Sequence, residues 1–141
     1  MARSYARFAA AVFLVFGLGG LLTGDASHIV KGTASGNFGT VALHLTYGRD
    51  LINLGLAAAF IYAGFLAPER TVWIPVLAAG AVLMLLAVIG FIHADNDAGS
   101  ITIASLHFPL AINVFDLVAG VLSVLCAAGG FDEEEPAAAS A

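Results

Sequence analysis

The sequence predicts an all-α fold, a four-transmembrane-helix bundle in a single membrane domain over residues 1–130. Of the 141 residues, 60% are hydrophobic and only 11% are charged, and the mean hydropathy is +0.97. A soluble domain of this size could not bury so much apolar surface. The apolar runs are continuous and lack the alternation of a transmembrane β-strand, so helices are favoured over a β-barrel.

Four long apolar stretches define the predicted helices. We place these helices at residues 8–24, 42–66, 71–93 and 107–129. The third is the firmest, because its sequence carries no charged residue between Val72 and Ile92. At about 1.5 Å per residue, about 20 such residues cross a hydrocarbon core of about 30 Å.

The first apolar stretch has a second interpretation. Arg3 and Arg7 precede it, and the small residues at 24–26 follow it, a pattern that also fits a cleaved signal peptide. We expect the segment to be retained as the first helix of the bundle.

The distribution of basic residues predicts the orientation in the membrane. Arg3, Arg7 and Arg70 fall on the side of the termini, whereas Lys31 and Arg49 fall on the other side. Since positive charges favour the cytoplasmic side, we expect a multi-pass protein of the cell inner (plasma) membrane with both termini in the cytoplasm.

The composition also predicts the roles of two shorter segments, a link between helices and a tail. Pro68, Glu69 and Arg70 form a short polar link, so the second and third helices should be antiparallel neighbours. The acidic and Ala-rich segment 131–141 is expected to be a solvated C-terminal tail.

A polar motif occurs twice in the chain, with its Asp and Asn exchanged between the copies. The two copies are His44, Asp50 and Asn53, and His107, Asn113 and Asp116. Their offset of 63 residues relates the second helix to the fourth, and an offset of 70 relates the first to the third. The pattern predicts two duplicated helical hairpins related by a pseudo-twofold axis along the membrane normal.

The Asp and Asn residues are predicted to form buried polar pairs. Residues three apart share one face of a helix. Asp50 should therefore lie level with Asn113, and Asn53 level with Asp116, so that each carboxylate accepts a hydrogen bond from an amide across the bundle. The positive charge of Arg49 could further compensate the negative charge of these carboxylates. We interpret these residues as holding the hairpins in register, with a proton or cation site at Asp116 as the alternative.

The histidines are candidate ligands of haem or a metal ion. The predicted set consists of His44, His93 and His107, with His28 a weaker member. Three of these residues fall at predicted helix ends, where imidazole commonly caps backbone groups. We therefore expect no cofactor, and haem or a metal ion remains the alternative.

The repeated hairpin, with its Leu-His pair, its Asp and Asn residues and its Leu- and Gly-rich helices, resembles small bacterial four-span integral membrane proteins of a domain-of-unknown-function family. The resemblance covers about Phe8–Ala128. It implies the fold and the membrane location, and it implies no activity. The chain departs from the expected pattern at Arg49 and Asp50, where a neutral segment would be expected.

The remaining chemistry is sparse. Cys126 is the only cysteine, so no disulfide can form within the chain, and no serine has an evident general base at nucleophile spacing. The sequence predicts a non-enzymatic protein, an accessory or structural subunit of a larger membrane complex. Its expected partners are the lipid bilayer and other membrane-protein subunits, without nucleic acid. The alternatives are a haem- or metal-binding redox protein and a proton or ion conductor.

Overall fold

The structure is a computed structural model. It describes residues 1–23, 37–38, 41–42, 46–93, 102–103, 106–108 and 110–129. The described part of the chain confirms the all-α class, and its four main helices are each long and apolar enough to span a membrane.

The helices follow one another as α1, α2, α3 and α4. Their bounds are α1 Ala2–Thr23, α2 Tyr47–Ile61, α3 Trp73–His93 and α4 Leu110–Ala128. A π-helix, Tyr62–Leu66, continues α2, and a 3₁₀ turn, Glu69–Thr71, leads into α3. Two antiparallel β-ladders of two-residue strands precede α2 and α4. These are β1 Asn37–Phe38 with β2 Val41–Ala42, and β3 Thr102–Ile103 with β4 Leu106–His107.

Three helix starts differ from the sequence prediction by three residues or more, those of α1, α2 and α4. Helix α1 begins at Ala2, six residues earlier than predicted, because the small and polar residues before Phe8 continue the helix. Helix α2 begins after Thr46, whose side chain accepts a hydrogen bond from the Arg49 backbone N–H at 3.3 Å and so caps the helix. Helix α4 begins at Leu110, because His107 belongs to β4. Strands of two residues are too short to produce a periodic signal in the sequence.

The potential membrane spans differ in hydropathy. They run over Ala2–Leu22, Tyr47–Leu66, Glu69–Ile92 and Leu110–Ala128, with mean hydropathies of 1.8, 1.3, 2.6 and 2.2. The third is the most apolar, in agreement with its lack of charge. The second is the least apolar, because it carries Arg49, Asp50 and Asn53.

The helices pack as two antiparallel hairpins. Helix α1 packs mainly against α2, and α3 packs mainly against α4, whereas the described contacts between the two hairpins are fewer. The start of α1 and the end of α4 lie at the same end of the bundle, which we call the terminal end. The β-ladders lead into α2 and α4 at the opposite end, which we call the hairpin end.

The two hairpins share a pattern of buried positions. In α1 the buried residues are Ala2, Ala6, Ala9, Ala10, Phe13, Gly17 and Gly20. With an offset of 70, the equivalent residues in and just before α3 are also buried, namely Val72, Val76, Ala79, Gly80, Leu83, Ala87 and Gly90. The same faces of α1 and α3 therefore point inward. Duplication of an ancestral hairpin stays a prediction that fits this pattern.

Aromatic rings fill the middle of the bundle. Phe13 stacks on Phe60 with ring centroids 5.5 Å apart, and both side chains are buried. Phe13 also contacts Phe115 at 5.5 Å, and Phe16 contacts Phe115 at 5.1 Å. The core between the two hairpins is thus apolar and aromatic, which separates the polar groups of the hairpin end from those of the terminal end.

Candidate functional site

Five polar side chains are buried together at the hairpin end, and we call them the polar centre. Its members are Arg49, Asp50, Asn53, Asn113 and Asp116. Each has at most 2% of its surface exposed. The first three lie in the first two turns of α2, and the last two in the first two turns of α4. Polar groups buried in a helix that is apolar enough to span a membrane are costly, so each needs a partner or a function.

The levels of these residues follow from the helix bounds. Asp50 and Asn113 each lie three residues past the start of their helix. Asn53 and Asp116 each lie six residues past it, about 9 Å along the axis at about 1.5 Å per residue. The two helices therefore present their Asp and Asn residues at matching depths.

An ion pair joins the two hairpins. The Arg49 Nη2 atom donates a hydrogen bond to Asp116 Oδ1, and both side chains are buried. Helices α2 and α4 belong to different hairpins, so this pair crosses the bundle, and the described contacts between the hairpins are fewer than those within each hairpin. Two opposite charges attract strongly when water is excluded, and removing one of them leaves the other uncompensated.

Asn113 occupies a notch in α3 that only glycine provides. A Cβ atom added at Gly90 would lie less than 3.0 Å from each polar atom of the Asn113 side chain. The Asn113 Nδ2 atom donates a hydrogen bond to the Phe108 carbonyl at 3.2 Å. Asn113 thus stabilises the start of α4 and fits into the surface of α3 where the two helices pack together.

Asp50 occupies the corresponding notch in the first hairpin. A Cβ atom added at Gly20 would lie less than 3.0 Å from both carboxylate oxygens of Asp50. Gly20 and Asp50 also have further interactions. The notches at Gly20 and Gly90 are related by the offset of 70, and the side chains that enter them by the offset of 63. Both hairpins therefore pack a polar side chain against a helix backbone in the same way.

The hydrogen bonds differ from the exchange predicted from the sequence. Asp116 accepts from Arg49, whereas an amide of Asn53 was expected to serve it. Asn113 donates to a carbonyl of its own chain segment. A guanidinium brings a full charge and several donors on a long side chain, so it is the stronger partner for a buried carboxylate.

The polar centre has more hydrogen-bonding capacity than the described residues use. Among them, several buried polar atoms have no hydrogen-bond partner. These atoms are Arg49 Nε and Nη1, Asp116 Oδ2, Asn53 Oδ1 and Asn113 Oδ1. They include donors and acceptors, so water or a small group with both capacities would complement them.

The side chains of the four candidate ligand histidines are outside the part of the chain that the structure describes. His28 and His44 fall outside the described residues. For His93, which ends α3, and His107, which lies in β4, the structure describes the backbone only. The haem or metal site at these histidines stays a prediction. In the described part of the chain, no group of three His, Cys, Asp or Glu side chains is arranged to hold a metal ion.

A second buried polar contact lies nearer the terminal end. The Tyr5 hydroxyl donates to the Ala119 carbonyl at 2.8 Å and accepts from Ser123 Oγ at 3.0 Å. This contact joins α1 to α4, and the sequence analysis does not predict it. The signal that could have indicated it is the seven-residue spacing from Asp116 to Ser123, which places both on one face of α4.

Comparison with known proteins gives no match, whether to a family model, to a curated protein or to a solved structure. The resemblance to four-span proteins of unknown function stays a prediction.

Proposed function

We propose that this chain is a non-enzymatic multi-pass protein of the inner membrane that acts as a small subunit or accessory of a larger membrane complex. Both termini are assigned to the cytoplasm. The basic residues support that orientation, since Arg3 and Arg7 lie near the terminal end, whereas Arg49 is buried and paired with Asp116. An apolar groove between the hairpins carries the subunit proposal.

The groove runs between α1 and α4 and has a volume of about 210 Å³. Its lining is apolar except for Tyr5. The lining residues are Tyr5, Phe8, Ala9, Val12, Phe13, Phe115, Val118, Ala119 and Leu122. Phe8 is 70% exposed, so the groove is bordered by large side chains that the described part of the chain leaves uncovered.

The packing within each hairpin explains why the groove lies between them. Gly80 and Gly120 approach closely in the second hairpin, where a Cβ on Gly120 would lie 3.0 Å from the Met84 backbone. Phe13, Phe16 and Phe115 instead hold α1 and α4 apart. Helices associate in membranes by complementary packing more than by hydrophobicity. A transmembrane helix of another subunit would pack its row of side chains into this groove.

We expect a photo-reactive phenylalanine analogue at Leu122 to crosslink, in native membranes, to one other membrane protein of defined mass. The same analogue at Phe8, across the groove, should give the same product. Leu85 is the matched control, because it is 59% exposed on α3 and does not line the groove. A Val12→Trp substitution, which fills the groove, should abolish the product.

Three results would contradict the subunit proposal. They are crosslinks to lipid alone, crosslinks to a second copy of this chain alone, and equal yields from Leu85 and Leu122. A chain that is monomeric and without a partner after gentle extraction from native membranes would contradict it as well.

A second candidate function is proton or ion conduction through Asp116. The observation that favours it is the polar face of α4, on which buried Asp116 is followed by Ser123 and its contact with Tyr5. The gap between Asp116 and Ser123 is about 10 Å along the axis, and it contains aromatic side chains.

Conduction predicts that purified chain in liposomes passes protons under an imposed potential. Asp116→Asn should reduce the flux to that of empty liposomes, whereas Glu69→Gln, at an exposed acid of the terminal end, should preserve it. A wild-type flux equal to that of empty liposomes would rule the candidate out.

A further inference from the structure

The terminal end of α2 has a feature that the subunit proposal does not use. Two arginines of α1 donate to carbonyl groups of the π-helix that continues α2 and of the residue that follows it. We propose that Arg3, Arg7 and this π-helical segment, Tyr62–Leu66, form a binding site for the phosphate of an anionic phospholipid. The site needs no protein partner, so its test is independent of the proposed function.

The π-helix and its C-cap residue, Ala67, provide the carbonyl groups that orient the two guanidiniums. The Ala67 N–H donates to the Tyr62 carbonyl, five residues back, at 2.8 Å. Arg7 Nε then donates to the Gly64 carbonyl at 3.0 Å, and Arg3 Nη2 donates to the Ala67 carbonyl at 2.8 Å.

Gly64 is required for this arrangement. A Cβ atom at Gly64 would lie 2.9 Å from Arg7 Cγ and 3.1 Å from the Arg7 backbone nitrogen. The missing side chain lets α1 approach closely enough for Arg7 to reach the carbonyl. The close approach of the two backbones at Gly64 therefore brings the Arg7 guanidinium within hydrogen-bonding distance of the Gly64 carbonyl.

Both guanidiniums keep donors for a ligand. A guanidinium has five N–H donors in a planar fork that matches a phosphate, and the hydrogen bonds among the described residues engage one nitrogen of each arginine. Arg7 is exposed, and the Arg3 side chain is 26% exposed. The bonds to carbonyls also stabilise the end of α2, and this capping role is compatible with anion binding.

The surroundings favour a lipid over a free anion. Arg7 Cζ lies 5.2 Å from the centre of the Phe65 ring, and the ring is 60% exposed. Leu66 beside it is 71% exposed. A phosphate held by arginines at the end of a membrane span, next to an apolar surface, matches the joined headgroup and acyl chains of a phospholipid.

Glu69 is the one acid close to the site among the described residues. Its Oε1 atom lies 4.0 Å from Arg3 Nε, and its side chain is 86% exposed. It competes weakly with an anionic ligand, because an exposed pair at this distance is largely screened by water. Removal of Glu69 should therefore strengthen anion binding.

Trp73, the only tryptophan, provides the measurement because it begins α3 at the same end of the bundle. The protein is placed in vesicles of phosphatidylcholine that contain brominated phosphatidylglycerol. We expect the brominated lipid to quench the Trp73 fluorescence more strongly than its mole fraction in the vesicles predicts. Two oriented arginines should give about fivefold to tenfold selectivity. Arg3→Gln and Arg7→Lys should each lower the selectivity severalfold, and Glu69→Gln should raise it.

Arg70→Gln is the matched control, because Arg70 is exposed at the same end and no described hydrogen bond or ion pair joins it to the π-helix. It should leave the selectivity within about twofold. An equal loss in Arg70→Gln and Arg3→Gln, or no selectivity in the wild type, would overturn the proposal. Relief of quenching by inorganic phosphate at constant ionic strength would assign the site to free phosphate and would also overturn it. Circular dichroism of each variant confirms that the helices persist.

Discussion

Replacing Arg49 with methionine is expected to destabilise the bundle by about 3–5 kcal/mol, because Asp116 would remain buried without its counter-ion. Asp116→Leu should have an effect of similar size, since it leaves the Arg49 guanidinium buried and uncompensated. The two side chains are 2% and 0% exposed, so water can replace neither partner without opening the bundle. Equilibrium unfolding in bicelles, on titration with SDS, measures these losses.

The exposed Arg70→Gln is the control for this prediction. It removes the same charge from a site with little burial, so its effect should stay within about 0.5 kcal/mol. A loss below about 1 kcal/mol for Arg49→Met would show that the ion pair contributes little to the link between the hairpins.

Gly20→Ala and Gly90→Ala are expected to destabilise the bundle by about 1–3 kcal/mol or more through overpacking. The new methyl groups would overlap Asp50 and Asn113, which fill the two notches. Both side chains are buried and lie in the first turns of their helices, so neither can swing away without breaking the local packing. The same unfolding titration measures both losses.

Gly19→Ala and Gly55→Ala are the matched controls. An added Cβ at either position meets nothing within 4 Å. These changes should be neutral or should stabilise the helices by up to about 1 kcal/mol, the difference in helix propensity between the two residues. If Gly20→Ala behaved like Gly19→Ala, the notch would not constrain the packing of α1 on α2.

The sequence was sufficient to predict the helices because their signal is compositional. The span over Glu69–Ile92 has the highest mean hydropathy, 2.6, and carries no Asp, Glu, Lys or Arg after Arg70, so its position is predicted well. The start of α2 was predicted too early, because Val41 and Ala42 are apolar but pair as a strand with residues 37 and 38. A two-residue ladder depends on tertiary context that hydropathy does not carry.

The members of the polar centre were predicted, but their pairing was not. Helical spacing placed Asp50, Asn53, Asn113 and Asp116 on inward faces, and all four are buried. The spacing says nothing about how far a long side chain reaches, so the pairing of Arg49 with Asp116 across the bundle could not be derived. The notches at Gly20 and Gly90 likewise depend on the distance between helix axes, which only the structure supplies.

The hydrogen bonds by which the N-terminal arginines cap the end of α2 could not be predicted from the sequence either. Charge counting predicts the side of the membrane on which Arg3 and Arg7 lie, but it does not predict hydrogen bonds to the carbonyls of Ala67 and Gly64. Those bonds depend on the π-helical register of Tyr62–Leu66, which has no signature in a run of apolar residues.

A double-mutant cycle on Arg49 and Asp116 tests most directly whether one buried ion pair links the two hairpins. The cycle compares the wild type, Arg49→Met, Asp116→Leu and the double variant by equilibrium unfolding in bicelles. The double variant is predicted to be close to the wild type, because two apolar side chains leave no buried charge. With single losses of about 3–5 kcal/mol each, the coupling energy is then about 6–10 kcal/mol. Losses that simply add, with a coupling energy below about 0.5 kcal/mol, would contradict the account.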